Sequence, residues 1–282
     1  MIKLVPTLSL LAFIALFSCQ SPSEKQDWQI LFNGEDLTGW DTYLGQEWTQ
    51  VNDSTFRPAG APVGLNKDPK GIFSVAKVDQ QSTIRISGEQ WGGISTTSEF
   101  SNYHLKLQFK WGEAKHRPKD NSKRDSGLLY HAVGAHGADG GFWMRSQEFQ
   151  VQEDDTGDYW GVAGGVMDVP TRQEGDNYIY DAAASMRVFS EKSDVGRHAT
   201  KFPDAENPTG EWNTLELICF GDTAIHIVNS QVVMALYNSR QLTETGEQPL
   251  KKGKIQLQSE GAELFYKDIM IKPISEVPEG VL

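Results

Sequence analysis

The sequence predicts an all-β fold, a two-sheet jelly-roll β-sandwich, on three observations. Apolar residues recur with period two in many short runs, as half-buried strands require. No segment carries an amphipathic helical pattern longer than about two turns. Glycine and proline punctuate the chain throughout, 27 and 12 of them in 282 residues, which suits short strands joined by turns.

The clearest strand runs over 103–111, where Tyr103, Leu105, Leu107, Phe109 and Trp111 alternate with His104, Lys106, Gln108 and Lys110. A second covers 147–152: Phe149 and Val151 share one face, Glu148, Gln150 and Gln152 the other. Further strands are expected at 83–86, 94–97, 127–131, 186–189, 213–220, 224–228, 231–237, 254–258 and 264–272. Asn229 and Ser230 form a tight hairpin turn between two of these, although glycine suits its second position better. The Gly-rich segments 134–141 and 155–165 read as ordered loops.

The N-terminus speaks to location. Lys3 precedes an apolar run over 8–17 that only Ser9 interrupts. That run is too short for a helix across a bilayer of roughly 30 Å, which needs about 20 apolar residues. It has the length of a signal-peptide core. Leu16-Phe17-Ser18-Cys19 resembles the bacterial lipobox, so Cys19 is expected to be lipidated and to become the new N-terminus. The expected organisation is a signal peptide over 1–18, a lipidated tether over 19–27, one domain over 28–274 and a short tail over 275–282. The protein would then be exported and held at the cell envelope, in the periplasm or at the outer membrane, touching the membrane through its lipid alone.

The chain has two cysteines, so an anchor at Cys19 leaves Cys219 alone in an apolar run, where a buried, inert thiol is expected. Without a disulfide the fold must be held by its core. The formal charge of −12 argues against nucleic acid as a partner. The one basic cluster, over 115–124, reads as a solvated loop.

No CxxC, HExxH, GxSxG or Walker pattern occurs, and the six histidines are scattered. What remains is polar strand faces and aromatics. Glu148 and Gln150 could offer a carboxylate and an amide to sugar hydroxyls, or merely line a wet outer face. His131, placed on a face with Leu129, is either a structural hydrogen-bonder or a base. Trp143 and Arg145 precede the polar strand, and Asp154, Tyr159 and Trp160 follow it. Aromatic rings stack on pyranose faces and carboxylates bind their hydroxyls; the same residues could be core aromatics and a charged turn. The acidic turn over 153–158 could also hold a divalent cation through oxygen ligands, although its spacing matches no known calcium loop.

Six blocks in order carry a resemblance. They are Ile30-Leu31-Phe32-Asn33-Gly34-Glu35-Asp36-Leu37-Thr38-Gly39-Trp40, Ser98-Glu99-Phe100 with Tyr103-His104-Leu105, Asp125-Ser126-Gly127, Glu148-Phe149-Gln150-Val151, Gly210-Glu211-Trp212-Asn213-Thr214, and Leu257-Gln258-Ser259-Glu260-Gly261 with Phe265-Tyr266-Lys267-Asp268-Ile269. Together they resemble the 3-keto-disaccharide hydrolase domain family over about residues 28–274. The resemblance implies a concanavalin-like sandwich acting on glycosides whose sugar carries a ketone at C3. The chain departs at Glu260-Gly261, where the family often has His-Gly, and at Asn229-Ser230, where Asn-Gly is usual.

A C3 carbonyl acidifies the hydrogen on C2, so a base can start elimination of the C1 substituent, after which water adds back. Glu148 or His131 would be the base, Arg145 or a bound cation would steady the enediolate, and Gln150 would orient a hydroxyl. Trp143, Asp154, Tyr159, Trp160 and Glu260 would bind the oligosaccharide or glycoside. Two other readings stay open: a noncatalytic carbohydrate-binding lipoprotein, and a structural or adhesion module of the envelope.

Overall fold

The computed structural model describes residues 27–52 and 55–282, together with Met1. Cys19, the signal peptide and the tether up to residue 26 lie outside the described residues. Among the described residues there is no helix, and two large antiparallel sheets pack face to face. The all-β sandwich expected from the period-two pattern is the fold observed.

The larger sheet centres on Tyr103–Lys115, which pairs with Asn213–Phe220 on one side and Ala262–Pro273 on the other. The smaller sheet runs in the order His198–Ala199, Tyr159–Val162, Arg145–Gln152, Asp125–Val133, Lys254–Ser259, Gly92–Thr96, Trp40–Leu44, Gly64–Leu65. Alternation decides what each strand contributes to the space between the sheets. Leu105, Leu107 and Phe109 from the larger sheet and Leu128, Tyr130, Phe149, Val151 and Leu257 from the smaller belong to one buried apolar cluster. Removing that much apolar surface from water is the main force holding a domain with no disulfide.

Cys219 is buried in this core and unbridged. Burial pushes its thiol up to about 12, against a hydrogen bond with Tyr103 that favours the thiolate. Such a thiol is inert at neutral pH. The Asn229–Ser230 turn has both residues in the left-handed region, with φ of 47° and 68°. Asn229 suits it, accepting from the Thr214 amide at 2.8 Å and donating to the Ala205 carbonyl at 2.8 Å. Ser230 bears the steric cost that glycine would avoid.

Several strands extend beyond their expected ends, and others had no periodic signal. Tyr159–Val162 lies inside the Gly-rich segment 155–165 expected to be loop. Gly165–Glu174 contains Pro170. That proline falls where pairing passes from Met186–Phe189 to Asn177–Tyr180, so it leaves the ladder intact.

Candidate active-site cleft

The outer face of the smaller sheet is largely buried around Glu148, Gln150 and Gln258. On Arg145–Gln152, Phe149 and Val151 point into the core, so Glu148, Gln150 and Gln152 must point outward. Cross-strand register then aligns the neighbours: Leu129 and Trp160 flank Glu148, Gly127 lies opposite Gln150, and Asp125 opposite Gln152. Lys254–Ser259 adds Gln258, and Glu260 follows at its end. These side chains floor a cleft of about 310 Å³. Trp143 walls one side, stacked 5.6 Å from Trp91 and tied by its indole nitrogen to the Gly92 carbonyl at 2.9 Å. Trp160 lines another part of the cleft, with His198 stacked on it at 4.4 Å.

Glycine at 127 leaves the room that the Glu148 and Gln258 side chains occupy on the floor. A Cβ there would lie 2.2 Å from Glu148 Oε1 and 2.5 Å from Gln258 Oε1.

The charges are crowded. Lys119 donates to both Asp125 and Glu260. Asp125 also accepts from the Gln150 amide nitrogen at 3.2 Å. Arg197 Nη1 stands 3.4 Å from Asp139 and 3.5 Å from Glu191. Glu148, by contrast, has no ion-pair or hydrogen-bond partner among the described residues. Burial raises its carboxyl well above the ordinary range, and Glu260, Asp125 and Asp139 add to the rise, with only Arg197 pulling down. Burial and the nearby Asp125 push Glu260 up to about 8, against the pull of Lys119. Burial also raises Asp125, again opposed by Lys119. Burial alone would lower the Lys119 ammonium's pKa, but Glu260 and Asp125 outweigh it and keep the group charged.

A carboxylate can only accept, so the Gln150–Asp125 bond fixes which end of the amide points where. Gln150 Oε1 is left buried without a partner, and so is Gln258 Oε1. The floor therefore presents acceptors that are waiting for donors.

Of the residues singled out in the sequence, Glu148, Gln150, Trp143, Trp160 and Glu260 converge on the cleft. Four do not, which corrects the expectation. His131 sits at a bulge with φ of 52°, packs edge-on against Tyr103 and Tyr130, and bonds the Leu250 carbonyl at 3.0 Å through Nδ1. The left-handed residue breaks the alternation that would have kept His131 beside Leu129. Arg145 binds the Ala163 carbonyl at 2.7 Å and Gln241 at 3.3 Å, bracing a turn. Tyr159 neighbours Trp160 on a strand and so faces the core, donating to Gln147 at 2.6 Å. Asp154 is largely exposed, with Lys123 at 3.6 Å.

The acidic turn does not gather as a cation site. Glu153 pairs with Arg124, Asp155 with Lys123, and Asp158 with His198. Among the described residues no group of three His, Cys, Asp or Glu side chains is placed to hold a metal ion.

Sequence reasoning missed Asp125, Lys119, Asp139, Arg197 and Gln258 as site residues. Asp125 and Gln258 had a signal: Asp125 shares the parity of Gly127, and Gln258 alternates with Leu257. Lys119, Asp139 and Arg197 come from loops, where no period marks the inward side.

Comparison with known proteins places this cleft in context. No protein of curated function matches at a significant level. Two crystal structures from Parabacteroides distasonis, of proteins provisionally named glycosyl hydrolases, are similar in shape. One is 18% identical, with 88% of this chain and 94% of that one covered and a TM-score of 0.46. The other is 17% identical, with 88% and 100% covered and a TM-score of 0.48. The carbohydrate-binding module CBM66 from Bacillus subtilis is 10% identical, with 81% and 96% covered and a TM-score of 0.41. All three likenesses are distant. The sequence itself matches the 3-keto-alpha-glucoside-1,2-lyase-like domain over residues 27–272, nearly all of the described chain, and the protein belongs to that family.

Proposed function

We propose that this domain cleaves glycosides whose sugar carries a ketone at C3, by eliminating the C1 substituent. The observation that carries the reading is Glu148: a buried carboxyl at the floor of a cleft, unpaired, with its proton affinity raised by burial and three neighbouring acids. That is the environment in which a carboxylate, once ionised, becomes a strong base.

In the reaction Glu148 takes the proton from C2, and the bonding pair moves onto the C3 oxygen as an enolate. The enolate collapses to restore the ketone, C1=C2 forms, and the C1–O bond breaks. Glu260, still protonated at neutral pH, gives its proton to the departing oxygen. Water adding across C1=C2 completes the conversion. Negative charge moves from Glu148 to the enolate oxygen, so the step adds no net charge to a cleft whose basic groups, Lys119 and Arg197, already face Asp125, Glu260, Asp139 and Glu191. Trp143 offers an apolar wall to the ring, and Gln150 accepts from a hydroxyl.

Incubation with a 3-keto-disaccharide and with its unoxidised parent tests the proposal. Cleavage of the keto sugar alone, abolished in Glu148→Gln, is expected. Binding without cleavage would instead point to a carbohydrate-binding protein, and neither to a structural role.

Export and anchoring through Cys19 complete the proposal, on the strength of the leader sequence. Fatty-acid labelling in cells that is lost in Cys19→Ala is the expected result.

A further inference from the structure

We infer that the cleft admits an uncharged, hydroxyl-bearing sugar and shuts out acidic ones, namely glycuronides and sulfated or phosphorylated glycosides. This rests on the elimination reading and adds the substrate's charge to it.

Two independent features of the cleft lead here. The first concerns its cations. An anionic substituent drawn out of water needs a cation to receive it, or its lost hydration goes uncompensated. Lys119 and Arg197 are the basic groups lining the cleft. Lys119 already holds Asp125 and Glu260, and Arg197 already stands against Asp139 and Glu191. Neither has a charge to spare. The reaction itself only relocates the one negative charge that Glu148 takes on when it ionises, whereas a substrate carboxylate would add a second.

The second feature is the polarity of the floor. Gln150 Oε1 and Gln258 Oε1 are buried and unpartnered, and both are acceptors. The contact with Asp125 prevents Gln150 from turning its amide nitrogen outward. A hydroxyl satisfies such oxygens by donating a hydrogen bond. A carboxylate or sulfate has no hydrogen to give, and its oxygens would meet the carbonyl oxygens head on. A neutral, hydroxyl-rich face is what this floor completes.

The test compares a 3-keto-glucoside with the matched 3-keto-glucuronide bearing the same leaving group. Turnover is measured on the wild-type protein, and binding on Glu148→Gln by tryptophan fluorescence, since Trp143 and Trp160 line the cleft. The glucuronide is expected to be at least about 100-fold poorer in both kcat/KM and affinity. Comparable values, or a preference for the glucuronide, would overturn the inference. If neither compound turns over while the binding preference persists, the elimination reading fails and this inference stands. If neither compound binds, both fall. Asp139→Asn, which releases Arg197 from one carboxylate, should narrow the preference to within about tenfold. An unchanged preference in that variant would show that the commitment of the cations is not its source.

Discussion

Glu148 Oε1 lies over the backbone of Gly127, 2.2 Å from the point where any other residue would place its Cβ. The two strands are paired neighbours, and only the missing side chain lets the carboxyl lean toward Gln258. Gly127 is not among the residues with positive φ, so its role is space and not backbone freedom.

Gly127→Ala should therefore leave the backbone unstrained but displace Glu148 and Gln258. Activity on a 3-keto-glucoside should fall by about 100-fold, the scale of an ångström-sized misplacement of a reacting group. The thermal midpoint should move by only a few degrees, as denaturation followed by circular dichroism will report.

Glu148→Gln removes the base while keeping shape. Its kcat should drop by about 10²- to 10⁴-fold, with no loss of stability, because a neutral amide replaces a carboxyl that burial already disfavours as an anion. In the wild type, kcat/KM should keep rising with pH beyond the ordinary glutamate range, since Glu148 must ionise to act. A flat profile between pH 5 and 8 would contradict its assignment.

Lys119→Met takes away the one ammonium shared by Asp125 and Glu260. Breaking a buried pair in this way typically costs about 3–5 kcal/mol. The stranded carboxyls should hold protons more tightly, so the activity profile should shift to higher pH and the stability deficit should shrink on acidification. Thermal denaturation and rate measurements across pH check both.

His131 titrates the fold and not the reaction. Burial lowers its imidazole to about 4, against its bond to the Leu250 carbonyl. A group depressed in the folded state contributes stability that is complete above its unfolded pKa of about 6.5 and lost as pH falls through 4. His131→Asn keeps a residue that tolerates the left-handed backbone. It should show a shallower loss of thermal midpoint between pH 6.5 and 4, with kcat/KM at neutral pH within about twofold of wild type.

Glu206 lies outside the cleft and has the opposite sign. Burial raises its carboxyl to about 7, opposed by hydrogen bonds to Thr156. Its contribution is present below about 4.5 and lost as pH rises through 7. Glu206→Gln should raise the midpoint at pH 8 relative to pH 5 by about 2–4 °C for each kcal/mol recovered.

The strands were legible in the sequence wherever one face was polar and the other apolar. Residues 103–111 and 147–152 are of that kind, and the second placed Glu148 and Gln150 on one face with Phe149 and Val151 on the other. Tyr159 and Trp160 show the limit. They are adjacent, so one had to face the cleft and the other the core, but glycines concealed the strand that would have said which. His131 was misplaced by a single left-handed residue, which the sequence does not announce. Lys119 and Arg197 are counter-charges delivered by loops, and their partners are distant in sequence, so only the folded chain brings them to Asp125 and Asp139.

The short strand Gln29–Ile30 pairs at Met270 and Ile271, on the sheet opposite the one bearing the cleft. It also lies beside Thr97 and Phe100, where Phe100 bridges to Gly253, whereas the acids cluster past Ser259 at the other end of the same strands. Gln29 therefore sits at a corner of the sandwich away from the cleft. The proposed anchor at Cys19 would hold the domain by that corner and leave the mouth of the cleft open to a long glycan.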